Sequence, residues 1–167
     1  MPSSRNIGVA AEAIAAAQFA RCGFDVSVQY GANQPEYDLI VARKDSLLKV
    51  SVKGSQDGCW GLTQSFLKGG NYQDAIGEWL ERHGSKTAFC LVQFKDVQLS
   101  ELPRIYLARP GEIAQRLRDT ANARGDTILY EKHLWGSRAM AFGTEERIPE
   151  TWLFSESRIE ELFNALS

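Results

Sequence analysis

Hydrophobic positions near the amino terminus recur at the spacing of a helix. Residues 7–22, IGVAAEAIAAAQFARC, are rich in alanine and stop at Gly23. Their apolar face contains Ile7, Ala10, Ala11, Ile14, Ala17 and Phe19. Because most of these side chains are small, the pattern predicts a helix that packs closely on a flat surface.

Alternating polar and apolar side chains follow this helix. The stretches FDVSVQY, YDLIVAR and LLKVSVK are separated by turn-type residues, which predicts three strands in an antiparallel meander. Residues 54–70 contain five glycines and show no clean period, so we expect a long ordered loop there. A second helix is predicted over residues 71–83, with Asn71 as its amino-terminal cap and its end before Gly84.

The second half of the chain adds strands and helices in a simpler order. TAFCLVQF is nearly continuously apolar, as a central strand would be, and RIYLAR predicts a strand that leads through Pro110 into the helix GEIAQRLRDTANAR. Residues 128–142 predict a hairpin, and SESRIEELFNAL predicts a capped amphipathic helix. The order of elements indicates an α/β sandwich around a mixed sheet.

Composition narrows the class of protein. A chain of 167 residues with 44% hydrophobic and 24% charged residues is expected to form one domain, residues 1–167. No apolar run approaches the roughly 20 residues that span a membrane, and MPSSRN lacks a secretory h-region, so we expect a cytoplasmic protein without a membrane partner. Three cysteines without CxxC spacing suggest neither a disulfide framework nor a structural zinc site. The net charge of −2 requires any contact with nucleic acid to be local.

Two charged side chains, Asp38 and Lys53, interrupt the predicted strands. Side chains two apart share a face of a strand, so Lys53 points the same way as Ser51. A tight turn over residues 44–46 brings Asp38 opposite residues 51–53. Taken alone, such neighbours form a cross-strand ion pair on a solvated face, which contributes little to stability.

A third charge changes that interpretation. Glu12 is the one acid in residues 7–22 and is flanked by alanines, which let its carboxylate approach the sheet. A carboxylate in such a position is costly unless a cation or a hydrogen bond satisfies it. Lys53 or a metal ion could serve, so the sequence predicts that Glu12, Asp38 and Lys53 converge. The alternative for Glu12 alone is an ordinary exposed helix position.

The succession GVAAEAIAAAQFARCGFDV, PEYDLIV and LLKVSVKGS resembles the PD-(D/E)XK nuclease superfamily, particularly its homing-endonuclease-like and resolvase-like branches. The resemblance implies a restriction-endonuclease-like α/β fold, three layers (α/β/α) around a mixed sheet in αβββαβ order. It implies Mg²⁺ or Mn²⁺ as cofactor, DNA as partner, and allows a homodimer. It also implies an active site, with catalytic positions at Glu12, Asp38, Ser51 and Lys53 and metal ligands at Glu12, Asp38 and Val52.

The chemistry of phosphodiester cleavage suits these residue types. Carboxylates can hold a Mg²⁺ ion that generates hydroxide and spreads the charge on the phosphate oxygens. A lysine near the line of attack can orient water and stabilise the developing anion, which is the role expected of Lys53.

Ser51 departs from the family pattern, because the family has an acid or a glutamine at this position. A hydroxyl is a poor Mg²⁺ ligand compared with a carboxylate. Either another acid, with Glu36 and Glu78 as candidates, supplies the missing oxygen, or metal binding is weak and catalysis is lost. The two resulting hypotheses are a metal-dependent DNA nuclease and a catalytically degenerate protein of the same fold that binds nucleic acid or a protein partner.

The glycine-rich stretch after Lys53 offers three candidate substrate-binding residues, Gln56, Trp60 and Gln64. In the functional interpretation Trp60 stacks on a base or a ribose. The alternative is that Trp60 packs in the core, as most tryptophans do.

Overall fold

The computed structural model describes residues 1–30, 36–84 and 86–166. Contacts divide the chain into two compact units. The first unit consists of Met1–Asp57, Ser85–Arg109 and Thr151–Ser167. The second unit consists of Gly58–Gly84 and Pro110–Glu150. One domain over residues 1–167 stays a prediction.

Groups of strands are separated by helices along the chain. In chain order they are α1 (Ser4–Arg21), β1 (Asp25–Val28), β2 (Leu39–Arg43), β3 (Ser46–Ser55), β4 (Cys59–Gly61), α2 (Tyr72–Arg82), β5 (Thr87–Gln93), β6 (Arg104–Ala108), α3 (Pro110–Ala123), β7 (Ile128–Tyr130), β8 (Lys132–Leu134), β9 (Glu145–Arg147) and α4 (Glu156–Leu166). Short 3-10 helices lie at Gln64–Phe66, Ser137–Ala139 and Glu150–Trp152.

A five-stranded sheet forms the centre of the first unit, in the order β1-β2-β3-β5-β6. The first three strands pair antiparallel, as the alternating pattern predicts. Strand β3 pairs parallel with β5, and β5 pairs antiparallel with β6. The predicted α/β class with a mixed central sheet is therefore confirmed, and β5 is buried along its whole length, as expected of a central strand.

Helix α1 lies close to one face of this sheet. Its inward positions include Ala11 and Ala15, both fully buried, which join a core that also contains side chains of α4. At Gly54 on β3, a Cβ atom would lie only 2.9 Å from the Cβ of Ala11 and from the carbonyl oxygen of Ile7. Small residues on both elements thus allow the close packing that the alanine-rich pattern predicts.

The prediction of a long loop over residues 54–70 is wrong in part, because two strands contain residues of this stretch. Strand β3 continues through Ser55, and residues 59–61 form β4, which pairs antiparallel with β7. Trp60 and Leu129 are paired across these strands and are both buried, so packing of their side chains stabilises the pair. The neighbouring glycines are the reason that the sequence pattern did not predict a strand here.

The prediction of a hairpin over residues 128–142 is wrong, because the strands in this range do not pair with each other. Strand β7 pairs with β4, whereas β8 pairs with β9, beyond the predicted range. Helix α3 is irregular near its carboxyl end, because Ala121 and Asn122 adopt left-handed φ angles of 54° and 55°. The Glu146 carboxylate accepts a hydrogen bond from the Ala121 N–H at 3.1 Å, which supports this conformation.

Two other helix predictions are confirmed by their caps. The Asn71 side chain accepts a hydrogen bond from the Asp74 N–H at the start of α2, and the Ser155 hydroxyl accepts one from the Arg158 N–H at the start of α4. Within the described ranges, none of the helices combines the length and the apolar character that a membrane span needs.

Candidate active site

Asp38 lies immediately before β2, where the pairing between β2 and β3 ends. Its backbone N–H donates to the Val50 carbonyl oxygen at 2.9 Å. Its side-chain Oδ2 accepts from the Val52 N–H at 2.7 Å. The carboxylate therefore replaces the next backbone partner of β3, and this charge-assisted hydrogen bond fixes its position.

The main chain of Val52 lies at the same edge of β3. In a strand the N–H and the C=O of one residue point to the same side, so the Val52 carbonyl is directed to the side from which Asp38 approaches. Its side chain packs in the core between α1 and the sheet. Val52 can thus offer a main-chain oxygen beside the Asp38 carboxylate.

Glu12 is half-buried on α1, one residue after Ala11, whose side chain packs against Gly54. Partial burial raises the pKa of the Glu12 carboxyl, the Asp38 carboxylate raises it further, and the Lys53 ammonium lowers it. These opposite effects require both Asp38 and Lys53 to lie within electrostatic range of Glu12. The structure therefore brings Glu12, Asp38 and Lys53 together, and their catalytic role stays a prediction.

Glu12, Asp38 and the Val52 carbonyl could hold a metal ion. They form a set of oxygen donors, which is the ligand type that Mg²⁺ and Mn²⁺ take in proteins. Burial and, to a lesser extent, repulsion from Asp38 raise the pKa of Glu12, and a bound cation would relieve the repulsion. In the part of the chain that the structure describes, no group of three or more His, Cys, Asp or Glu side chains could hold a metal, so the set depends on a main-chain oxygen.

Ser51 and Lys53 differ in exposure although they share a face of β3. The Ser51 side chain is 1% exposed and pairs across the parallel ladder with Phe89, which is fully buried. Lys53 is exposed. Burial adds to the chemical argument against the Ser51 hydroxyl as a metal ligand.

The two acids considered as replacements for the motif acid have different positions. Glu36 is exposed and lies before the first residue of β2. Glu78 is exposed on α2 in the second unit. Within the described residues, Glu36 completes no group of three acids with Glu12 and Asp38.

The three candidate substrate-binding residues have separate environments. Gln56 belongs to the first unit, where its Nε2 donates to the Pro2 carbonyl oxygen at 3.1 Å. Trp60 is 3% exposed, which leaves no free ring face for a base and favours the packing interpretation. Gln64 is exposed in a 3-10 helix of the second unit. Substrate binding by Gln56 and Gln64 stays a prediction.

The sequence did not single out a polar network at the carboxyl ends of β3 and β5. Gln93 is fully buried, and its Nε2 donates to the Ser55 hydroxyl at 3.1 Å. The Ser55 hydroxyl in turn donates to Asp57 Oδ1 at 2.9 Å. A glutamine within an apolar strand was the available signal, since a buried amide needs partners.

Because the pKa of Glu12 is raised, the free energy of unfolding should depend on pH through this residue. A fold that favours the protonated acid has this stabilising contribution below the ordinary glutamate pKa, about 4.3, and loses it as the pH rises through the raised pKa. We therefore expect Glu12→Gln to raise the melting temperature at pH 8 in EDTA by at most a few degrees, because solvent screens a partly buried charge, with the difference shrinking toward pH 4.

Thermal unfolding followed by circular dichroism measures this difference. Glu81→Gln, at an exposed glutamate of α2, is the matched control. A lower melting temperature for Glu12→Gln at pH 8 would instead mark the Glu12 carboxylate as a structural contact.

No family model matches the chain, and no curated protein matches it. The solved structure of a bacterial homing endonuclease is similar to it, with 16% sequence identity and a TM-score of 0.49 over 99% of this chain and 95% of that chain. A similarity at this level does not assign the chain to a family.

Proposed function

We propose that this protein is a metal-dependent nuclease of the PD-(D/E)XK type that hydrolyses DNA phosphodiester bonds. The observation that carries the proposal is the proximity of Asp38, just before β2, and of Lys53 on β3 to Glu12 on α1. A solvated ion pair would not need a second, half-buried carboxylate, whereas a metal site does. The grouping of two acids with one lysine supports phosphodiester chemistry over a simple cross-strand ion pair.

Each residue has a role in this proposal that follows from its position. Glu12, Asp38 and the Val52 carbonyl would hold the metal, and the hydrogen bond from the Val52 N–H would keep the Asp38 carboxylate in position. A Mg²⁺ ion bound there would supply a nucleophilic hydroxide and neutralise charge on the phosphate. Lys53 is exposed, so its ammonium can reach the substrate phosphate, orient the attacking water and stabilise the developing negative charge.

A non-catalytic protein of the same fold is the second candidate, and the buried Ser51 favours it. With a serine at 1% exposure in place of the motif acid, metal affinity depends on two carboxylates. In that case the same residues bind nucleic acid or a protein partner without cleaving it.

Nicking of supercoiled plasmid DNA in Mg²⁺ or Mn²⁺, with EDTA as the blank, separates the two candidates. We expect metal-dependent nicking by the wild type and a rate lowered at least about 100-fold in Lys53→Met, which keeps the length of the side chain and removes its charge. Lys68→Met, at an exposed lysine of the second unit, is the matched control and should nick at the wild-type rate. Equal nicking by the wild type and Lys53→Met, or none by either, would favour the binding protein.

The proposal includes DNA as a local rather than an extended partner, because the net charge of the chain is −2. It also includes a homodimer, since two copies of a single site can cut both strands of a duplex. A cytoplasmic location remains a part of the proposal that follows from the sequence.

A further inference from the structure

A cavity of about 300 Å³ lies in the first unit, beside the turn between β2 and β3. Its lining residues are Ile40, Asp45, Ser46, Leu47, Lys49 and Lys86. Two lysines and one acid give this lining an excess of positive charge, although the chain as a whole is acidic. The lining therefore combines a local positive charge with apolar side chains.

Lys49 connects the cavity to the candidate active site. It shares a face of β3 with Ser51 and Lys53, and Lys53 lies four residues further along the strand. At about 3.3 Å per residue, the Cα atoms of Lys49 and Lys53 are roughly 13 Å apart. A sugar-phosphate chain whose scissile phosphate lies at Lys53 can thus extend along the strand to the cavity.

The position of the Lys49 ammonium is restrained rather than random. Its Nζ lies 5.1 Å from the centre of the Tyr37 ring, a cation–π contact that orients the side chain. Tyr37 precedes Asp38, so this contact and the candidate metal ligand come from adjacent residues. The Lys49 backbone N–H donates to the Lys86 carbonyl oxygen at 3.3 Å, which places the two lysine backbones side by side.

We propose that this cavity binds the sugar-phosphate backbone of the DNA substrate next to the scissile bond, with Lys49 and Lys86 on phosphates. The apolar wall formed by Ile40 and the half-exposed Leu47 contacts deoxyribose, which lacks a 2′-hydroxyl. The Asp45 carboxylate lies in the same lining and opposes an anionic ligand. This inference rests on the proposed nuclease function and assigns part of its substrate site.

Fluorescence anisotropy with a labelled DNA duplex of about 20 base pairs tests the assignment, in EDTA so that nothing is cleaved. We expect Lys49→Gln and Lys86→Gln each to weaken binding about fivefold at about 100 mM salt, and each to lower the slope of log K against log salt by about one. Asp45→Asn should strengthen binding about twofold. A gain and a loss from neighbouring residues cannot both result from misfolding.

Controls separate this inference from the proposed function. Lys68→Gln removes an exposed lysine outside the cavity and should leave the affinity nearly unchanged. Wild-type affinity in both cavity lysine variants, together with metal-dependent nicking by the wild type, would overturn the cavity assignment and leave the nuclease intact. If the wild type neither binds nor nicks DNA, the nuclease proposal fails first.

Two further binding measurements identify the class of ligand. Replacing chloride by inorganic phosphate at constant ionic strength should not displace the duplex, because the cavity binds a strand through several groups. An RNA duplex of the same sequence should bind more weakly, since its 2′-hydroxyls meet Ile40 and Leu47. Displacement by phosphate alone, or tighter binding of RNA than of DNA, would overturn the assignment.

Discussion

Replacing Asp38 with asparagine is expected to lower the rate of Mg²⁺-dependent DNA nicking at least about 100-fold without unfolding the protein. The Asn side-chain oxygen can still accept the hydrogen bond from the Val52 N–H, which measures 2.7 Å in the wild type. What asparagine removes is the negative charge beside Glu12. The substitution therefore separates the metal-binding role of Asp38 from its structural role.

Two measurements make this prediction specific. Titration calorimetry with Mn²⁺, without DNA, should show affinity for the wild type and a large loss for Asp38→Asn. The wild-type melting temperature should rise with Mn²⁺, because a ligand that binds the folded state stabilises it, and that of Asp38→Asn should not.

Asp38→Ala is the matched control, because it removes both the charge and the acceptor. The Val52 N–H would lose its partner, so we expect a free energy of unfolding lower by about 1–2 kcal/mol than in Asp38→Asn. Nicking should be lost equally in both variants. Wild-type nicking by Asp38→Asn would remove Asp38 from the catalytic set.

Gly54→Ala is expected to have the largest effect on stability. The added Cβ would lie 2.9 Å from the Ala11 Cβ, the Ile7 Cγ2 and the Ile7 carbonyl oxygen. A backbone oxygen cannot rotate away as a side chain can, so α1 would have to move off β3. We expect the free energy of unfolding to fall by about 2–3 kcal/mol, measured by urea denaturation.

Gly8→Ala tests the same chemical change where there is room. Gly8 lies within α1, and a Cβ there would meet nothing within 4 Å. Alanine at this position should stabilise the protein by about 0.5–1 kcal/mol, because glycine is the poorer helix former. If Gly54→Ala were as stable as the wild type, the close approach of α1 and β3 would be wrong, and with it the placement of Glu12.

Much of the first unit could be predicted from local patterns. The meander β1-β2-β3 follows from alternation within each of its three stretches, and β5 from a nearly continuous apolar run. These signals were sufficient because each element buries a face whose period can be read directly. The alanines of α1 also indicated close packing, although the partner Gly54 is apparent only once β3 and α1 are in contact.

The strands of the second unit were harder to predict from sequence, because each is three residues long. Strands β4 and β7 are distant in sequence, and glycines around β4 resemble those of a loop. No period can be read from three residues, so pairing depends on burial of Trp60 and Leu129. The left-handed end of α3 is held by Glu146, a distant contact that no local pattern encodes.

The candidate site was predictable in its charges and not in its surroundings. Glu12, Asp38 and Lys53 each stood out because a charge occupied a position that favours apolar or small residues. The bond from the Val52 N–H to Asp38 and the burial of Ser51 depend on where β2 ends, which the sequence places only within a few residues. The cavity at Lys49 requires Lys86 from a separate segment.

Strand β3 contributes residues both to the hydrophobic core and to the candidate active site. On one side Val50 and Val52 complete the core beneath α1, and along the same ten residues lie Lys49, Lys53 and the backbone that fixes Asp38. Mutational tolerance in this segment should consequently be low throughout, for reasons that alternate from one position to the next. A scan of β3 that scores activity alone would merge the two causes, whereas paired scores for folding and cleavage would sort its residues into two interleaved sets.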